Sequence, residues 1–190
     1  MIQTFTNTPY DQLEVGMEAE SQRLVLADDL YVFANSSGNL NPMHLPREDG
    51  DGDGLPEAVT PSMWLAAQIS AVMGNKLPGP GTLYRSHNLE FCGRAHAGDE
   101  ILVKVVLVAK EPDRVVRFHT TVSRLSDGAV IVRGEATVFA PEHSLSFKAD
   151  DIPGLTVQRH QHFDRLIEMV EPMPAMPSRS WTLAAFTVST

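Results

Sequence analysis

The sequence has few of the features that mark disulfide-bonded, membrane-spanning or nucleic-acid-binding proteins. Its 190 residues include a single cysteine, Cys92, so no intrachain disulfide can form. The most apolar stretch, residues 101–109, contains Lys104 and is too short to span a bilayer. A net charge of -9 argues against nucleic acid as a main partner. An anionic ligand would therefore need a local cluster of Lys or Arg.

The N-terminal residues and the single thiol carry further information. Residues 1–4 have neither a basic segment nor an apolar segment of the kind that starts a signal peptide, and we expect a cytoplasmic protein. Cys92 lies in an alternating, strand-like run. We interpret it as a small core residue rather than a nucleophile, because free cysteines are commonly buried.

The centre of the chain predicts one buried helix. Thr60 suits the N-cap position and Pro61 suits the first helical position. Residues 63–73 are apolar on nearly all sides, so the helix should be buried on nearly all sides. Gly74 then favours its end.

A series of strands follows this helix. Alternating segments at about 83–91, 100–109, 115–124 and 129–139 are separated by turn signals, and a lead strand is expected near 19–26. Short links predict antiparallel neighbours. One buried helix and an antiparallel sheet that wraps it define an α+β class.

Two segments fall outside this unit. Pro141 is expected to close a domain of residues 1–141, and the tail, residues 142–190, carries one amphipathic helix with its apolar face at Phe163, Leu166, Ile167 and Val170. Residues 49–54 resemble the start of a calcium loop. Its twelfth position is Thr60 instead of the bidentate Glu, so we interpret it as a solvated loop and expect no metal site.

The most informative motif is the run from Phe33 to His44, Phe-Ala-Asn-Ser-Ser-Gly-Asn-Leu-Asn-Pro-Met-His. A helix that begins near Ala27 cannot continue beyond about Ser37, because turn-forming residues follow. The turn presents Asn39 and His44 five residues apart, and a histidine held there can act as an acid or base. On spacing alone, an incidental histidine in a polar loop is the favoured interpretation.

The same run resembles the signature of the MaoC-like (R)-specific enoyl-CoA hydratases and dehydratases, Phe-Ala-x-x-Ser-Gly-Asp-x-Asn-Pro-x-His. The wording is most similar to the hydratase-like domain found fused to phosphate acyltransferases, whose linker the tail helix resembles. The resemblance covers about residues 8–141. It implies a hot-dog fold, a homodimer with two sites at the interface, an acyl-CoA thioester substrate and no cofactor.

Site residues also come from the resemblance. It places the catalytic pair on His44 and Asn39, with Asn39 where the family has aspartate. It implies substrate contacts from Ser62, whose backbone N–H would polarise the thioester carbonyl, and from the neighbouring polar residues Thr60, Asn41 and Ser37. The family sequence His-Gly-Met before the buried helix is here Pro-Ser-Met, residues 61–63. Candidates for the coenzyme A phosphates are Lys76, Arg85 and Arg94.

Three functions stay open from the sequence. The first is an acyl-CoA hydratase or dehydratase weakened by Asn39, because a carboxamide cannot act as a base. The second is a catalytically silent acyl-CoA binder or partner subunit. The third is a hot-dog thioesterase, which ranks last because residues 63–73 contain no Asp or Glu.

Overall fold

A computed structural model describes residues 4–44 and 58–149. These residues form a five-stranded antiparallel sheet, a two-stranded sheet and two α-helices. In chain order the elements are β1 Thr4–Thr6, β2 Glu18–Leu24, α1 Ala27–Ser37, α2 Ser62–Asn75, β3 Leu83–Phe91, β4 Glu100–Glu111, β5 Val115–Arg124, β6 Val130–Phe139 and β7 Ser146–Lys148.

The larger sheet has the strand order β2-β4-β5-β6-β3. Its strands alternate because one face is buried: Ile101, Val103, Val105 and Leu107 of β4 all point to the core. The predicted strands and the turns that follow β4 and β5 are confirmed. Each of those turns connects adjacent antiparallel strands in a hairpin.

The prediction that every short link joins neighbouring strands is wrong for β3 and β4. Strand β3 pairs with β6 at one edge, whereas β4 lies three positions away beside β2. The link, residues 92–99, is long enough to cross the sheet instead of turning back. Backbone hydrogen bonds join this link to residues 58–60. These bonds help to position the candidate site.

Helix α2 packs on β4, β5 and β2 and supplies the centre of the core. Leu65, Ile69 and Met73 have almost no exposed surface, and each such burial contributes about 1.5–3 kcal/mol. The expectation of burial on nearly all sides is wrong for one face. Met63 is 56% exposed, because the sheet covers only one side of the helix.

Two local expectations near α2 and β3 are also corrected. Pro61, and not Thr60, occupies the N-cap position, and no side chain caps the helix. The extended ψ of Pro61, 133°, delays the helix to Ser62. Cys92 is exposed instead of buried, since it lies just past the end of β3, where the alternation stops.

The small sheet joins the two ends of the described chain. Strand β7 pairs with β1, and the rings of Phe5 and Phe147 stack with centroids 5.2 Å apart. Buried Asn7 donates to the carbonyls of Pro80 and His143. Residues 142–149 are therefore attached to the body. The predicted tail helix and the calcium-like loop lie outside the described residues, and the boundary at 141 stays a prediction.

Candidate functional site

The site begins where helix α1 ends. The helix ends at Ser37, as predicted, and Gly38 follows in the left-handed conformation with φ 71°. Glycine suits this position because a side chain there would be strained. The chain then passes through Asn39 into a short 3₁₀ turn, Pro42–His44.

Side chains of the motif hold this turn together. The Ser37 hydroxyl donates to the Phe33 carbonyl at 2.6 Å and accepts from the Asn39 N–H at 3.2 Å. Asn39 Oδ1 accepts from the Asn41 N–H at 3.3 Å, and Asn41 Oδ1 accepts from the Met43 N–H at 3.4 Å. These are local Asx-type bonds. Ser37 and Asn41 thus shape the turn that presents His44.

His44 is the one buried residue of this turn. It is 8% exposed, and its Nδ1 lies 2.7 Å from the Val59 carbonyl oxygen. A carbonyl only accepts, so Nδ1 must carry the proton and donate. In the neutral ring the lone pair is therefore on Nε2. The bond from the Val59 N–H to the Met43 carbonyl, 2.9 Å, fixes the ring's position further.

A backbone ladder connects His44 to the start of helix α2. The Thr60 N–H donates to the Ala95 carbonyl at 2.8 Å, and the Ala97 N–H donates to the Ala58 carbonyl at 3.0 Å. Residues 58–60 are thus held between the motif turn and the link after β3. His44 and the first turn of α2 are brought to the same region because only Thr60 and Pro61 separate Val59 from the helix.

The first turn of α2 offers backbone donors. Trp64 and Leu65 both donate to the Pro61 carbonyl, and no side-chain oxygen caps the helix. The N–H groups of Ser62 and Met63 are the helix-terminal donors that no preceding turn can satisfy. Together with the positive end of the helix dipole, they favour an oxyanion or a polarised carbonyl. The Ser62 side chain is exposed at this end.

Thr60 has an unusual environment. The residue is only 4% exposed, and its Oγ1 has no hydrogen-bond partner in the part of the chain that the structure describes. An unpaired buried hydroxyl costs about 1–3 kcal/mol. Such groups concentrate where a structure serves something other than stability.

The predicted site residues therefore divide into two groups. His44, Thr60 and Ser62 are linked through the residue 58–62 segment. Asn39 is exposed on the preceding turn, and its hydrogen bonds to Ser37 and Asn41 are local. No sequence signal marks the Val59 carbonyl, because Val59 orients the histidine through its backbone alone.

The basic candidates for phosphate binding do not form a cluster. The Lys76 ammonium donates to the Glu20 carbonyl at 2.6 Å, at the far end of α2 from Ser62, about 20 Å along a 14-residue helix. The guanidinium of Arg85, on β3, lies 6.0 Å from the ring centroid of Phe139, on β6. Arg94 adjoins Ala95, which bonds Thr60, so Arg94 is the candidate connected most directly to the site.

One sizeable groove lies elsewhere in the described chain. It has a volume of about 560 Å³ and sits on strands β3, β5 and β6, with walls that include Glu90, His119, Arg133 and Glu135. It contains none of the predicted site residues. Its charged groups are engaged in ion pairs, such as Arg133 with Glu90 at 2.7 Å.

Known proteins share the fold and sequence features described above. A family model described as MaoC like domain matches residues 9–128, well over half of the chain. The chain belongs to the MaoC-like dehydratase family, as its motif predicts.

Individual relatives are similar over most of their length. An (R)-specific enoyl-CoA hydratase from Rhodospirillum rubrum is 31% identical over 133 residues, 70% of this chain and 91% of the relative. An (R)-specific enoyl-CoA hydratase from Aeromonas caviae is 32% identical over 129 residues, which cover 68% of this chain and 96% of the relative. The solved structure of the unliganded (R)-hydratase PhaJ1 from Pseudomonas aeruginosa has a TM-score of 0.74 and 35% identity, covering 82% of this chain and all of that one. The predicted α+β hot-dog class is thereby confirmed.

No helix among residues 4–44 and 58–149 has both the length and the apolar character that crossing a membrane requires.

Proposed function

We propose that this protein is an acyl-CoA hydratase or dehydratase, which adds water reversibly to a trans-2-enoyl thioester to give the (R)-3-hydroxyacyl thioester. The observation that carries the proposal is the state of His44. Its Nδ1–H is bonded to the Val59 carbonyl, so neutral His44 keeps Nε2 as an acceptor. Relatives of the same family, at about 31% identity, are named as (R)-specific enoyl-CoA hydratases and a 3-hydroxybutyryl-CoA dehydratase.

Hydration needs two proton movements and one stabilised charge. A base takes a proton from the attacking water as its oxygen bonds to C3, and an acid delivers a proton to C2. Negative charge develops meanwhile on the thioester oxygen. The Ser62 and Met63 N–H groups at the start of α2 are suited to stabilise it. Thr60 lies next to this turn and is proposed as a further substrate contact.

Asn39, which stands where the family has aspartate, changes which groups carry out the two proton transfers. The Asn41 N–H can only donate, so it must bond to Asn39 Oδ1, which leaves the Nδ2 group as the amide's remaining donor. That group can donate to a water oxygen while His44 Nε2 accepts the water's proton. A single histidine then serves both proton steps. Loss of one positioned acid/base group costs about 10²–10⁴ in rate, so turnover should be slow.

The test is restoration of the carboxylate. Asn39→Asp should raise hydration of crotonyl-CoA by at least about tenfold, followed as loss of the enoyl thioester absorbance. Adding His44→Ala should abolish the gain, because the two groups act as a unit. Asn35→Asp is the matched control. It adds the same charge to an exposed position on the last turns of α1 and should change nothing.

A second function is favoured by the same turn. Asn39 is exposed, and its amide oxygen is committed to the Asn41 N–H, so the turn is stable without any catalytic group. A catalytically silent acyl-CoA binder or partner subunit fits that arrangement. If Asn39→Asp binds crotonyl-CoA normally but gains no activity, this second function takes the place of the first.

The proposed assembly is a homodimer formed through β3. This strand is an edge of the sheet, and it exposes large apolar side chains, with Leu83 at 67% and Tyr84 and Phe91 at 38% each. Such edges and apolar surfaces are commonly covered. Helix α2 also exposes an apolar side chain, Met63, which a partner could cover as well. Sedimentation of a monomer at micromolar concentration would contradict this assembly.

A further inference from the structure

Arg23, on strand β2, makes an unusual set of contacts for an edge-strand residue. Its Nη1 donates to Gln68 Oε1 at 3.0 Å, and its Nη2 donates to Asp29 Oδ2 at 2.9 Å. Its guanidinium also lies 5.2 Å from the ring centroid of Trp64. One planar side chain thus links its own strand, β2, to two other elements, the first turn of α1 and the first two turns of α2.

The partners of Arg23 are themselves constrained. Trp64 is 4% exposed, and Gln68 is buried with its Nε2 donating to the Trp64 carbonyl. The contact with Trp64 is a cation–π interaction. Only arginine has a planar group whose N–H donors can reach both Gln68 and Asp29 at once. A buried amide and a partly buried ion pair are not needed here for stability, since apolar residues in their place often give equal or greater stability. What the polar contacts add is fixed orientation.

The two helices that Arg23 joins carry the two halves of the candidate site. Helix α1 continues from Asp29 to the turn that presents Asn39 and His44. Helix α2 has Trp64 in its first turn, two residues after the Ser62 N–H. Because a short helix moves as a rigid rod, an anchor on its first turn sets the direction of the whole element.

We propose that Arg23 is a positioning residue for hydration, which fixes the α2 donor turn relative to the histidine-bearing turn. The inference rests on the proposed function. It assigns Arg23 no contact with substrate; its effect is on the geometry between His44 and the Ser62 and Met63 N–H groups. Misplacement of reacting groups by about 1 Å can cost on the order of 10² in rate while binding persists.

The test separates turnover from binding. Arg23→Met should lower kcat for crotonyl-CoA hydration by about tenfold or more and leave KM within about threefold. Arg23→Lys keeps the charge but cannot donate to both acceptors in one plane, so its kcat should be intermediate. Arg133→Met is the matched control. It breaks an ion pair of 2.7 Å with Glu90 on the sheet and should leave kcat within about twofold.

A binding readout guards against a simple loss of folded protein. The chain has two tryptophans, Trp64 and Trp181. In a Trp181→Phe background, crotonyl-CoA titrated against Trp64 fluorescence gives the fraction of chains that bind. The proposal requires Arg23→Met to bind the parent's stoichiometry of ligand while turning over slowly. A loss of kcat that matches a loss of binding sites would overturn it.

The remaining outcomes are distinguishable. A parent protein that neither binds nor hydrates crotonyl-CoA would overturn the proposed function and this inference together. A parent that does both, with Arg23→Met indistinguishable from Arg133→Met, would overturn this inference alone. If Arg23→Met is insoluble, the comparison of Arg23→Lys with the control decides in the same way.

Discussion

Replacing Thr60 by valine should stabilise the protein and weaken its hold on substrate. Valine has nearly the shape of threonine, so the packing around this 4% exposed residue is retained. What disappears is the Oγ1 hydroxyl, which has no hydrogen-bond partner in the described chain. Few buried positions allow so clean a removal of one polar atom.

The size of the effect follows from that burial. An unsatisfied hydroxyl in an apolar environment costs about 1–3 kcal/mol, and its loss should return about 1 kcal/mol after imperfect repacking. For a domain of this size that is a rise in melting temperature of about 3 °C. If the hydroxyl donates to the thioester when substrate binds, its loss should raise the Kd for crotonyl-CoA about tenfold.

The control is a second buried threonine whose hydroxyl is paired. Thr120 is 1% exposed, and its Oγ1 lies 3.2 Å from His87 Nε2. Thr120→Val leaves that imidazole nitrogen without its partner and should lower stability by about 1 kcal/mol. The same chemical change is therefore expected to have opposite signs at the two positions, measured by calorimetry or denaturant unfolding of both variants.

Either half of the expectation can fail separately. If Thr60→Val destabilises as much as Thr120→Val, the Thr60 hydroxyl is already satisfied in solution and the structural reasoning is wrong. If Thr60→Val stabilises but binds crotonyl-CoA as the parent does, the orphan hydroxyl is only a cost, and Thr60 is not a substrate contact.

Three further predictions concern stability. Burial lowers the pKa of His87, so the unfolded chain binds more protons and stability should fall as pH drops below about 6.5; His87→Gln should flatten that part of a melting-temperature profile. Gly134→Ala would drive its Cβ into the Asn88 carbonyl oxygen, so calorimetry should show a loss above about 3 kcal/mol, whereas Gly74→Ala, with open space around it, should be neutral or stabilising. Deleting residues 150–190 should leave the melting transition intact, and an insoluble product would show that the tail belongs to the core.

Residue patterns predicted most of this fold because its elements are locally consistent. Strand alternation is visible wherever one face of the sheet is buried, and helix α1 ends at Ser37 because glycine and asparagine follow. Strand order was not predictable in the same way. Whether residues 92–99 turn back or cross the sheet depends on tertiary pairing with residues 58–60, which leaves no pattern in the sequence.

The site was predictable only in part, and for a related reason. The motif identified His44 through its side chain, but the Val59 carbonyl that fixes the histidine tautomer is backbone and any residue would supply it. The prediction that Thr60 is the N-cap is wrong, although Thr-Pro is a common helix start. The structure places Pro61 at that position, and Thr60 becomes a buried orphan.

The two departures from the family pattern concern different parts of the reaction that we propose. Pro61 at the N-cap has no N–H, but Ser62 and Met63 follow it, so the proposed oxyanion contact keeps its backbone donors. Asn39 removes a negative charge from the turn that carries His44. An uncharged turn repels an anionic thioester less, by about 0.5 kcal/mol for a solvated charge several ångströms away. In the proposed reaction we therefore expect substrate binding to be retained or slightly strengthened while the base is lost. It follows that Asn39→Asp should raise kcat and weaken the Kd for crotonyl-CoA by about twofold. A variant that gained both affinity and rate would contradict this electrostatic reasoning, because the added negative charge would then not weaken binding.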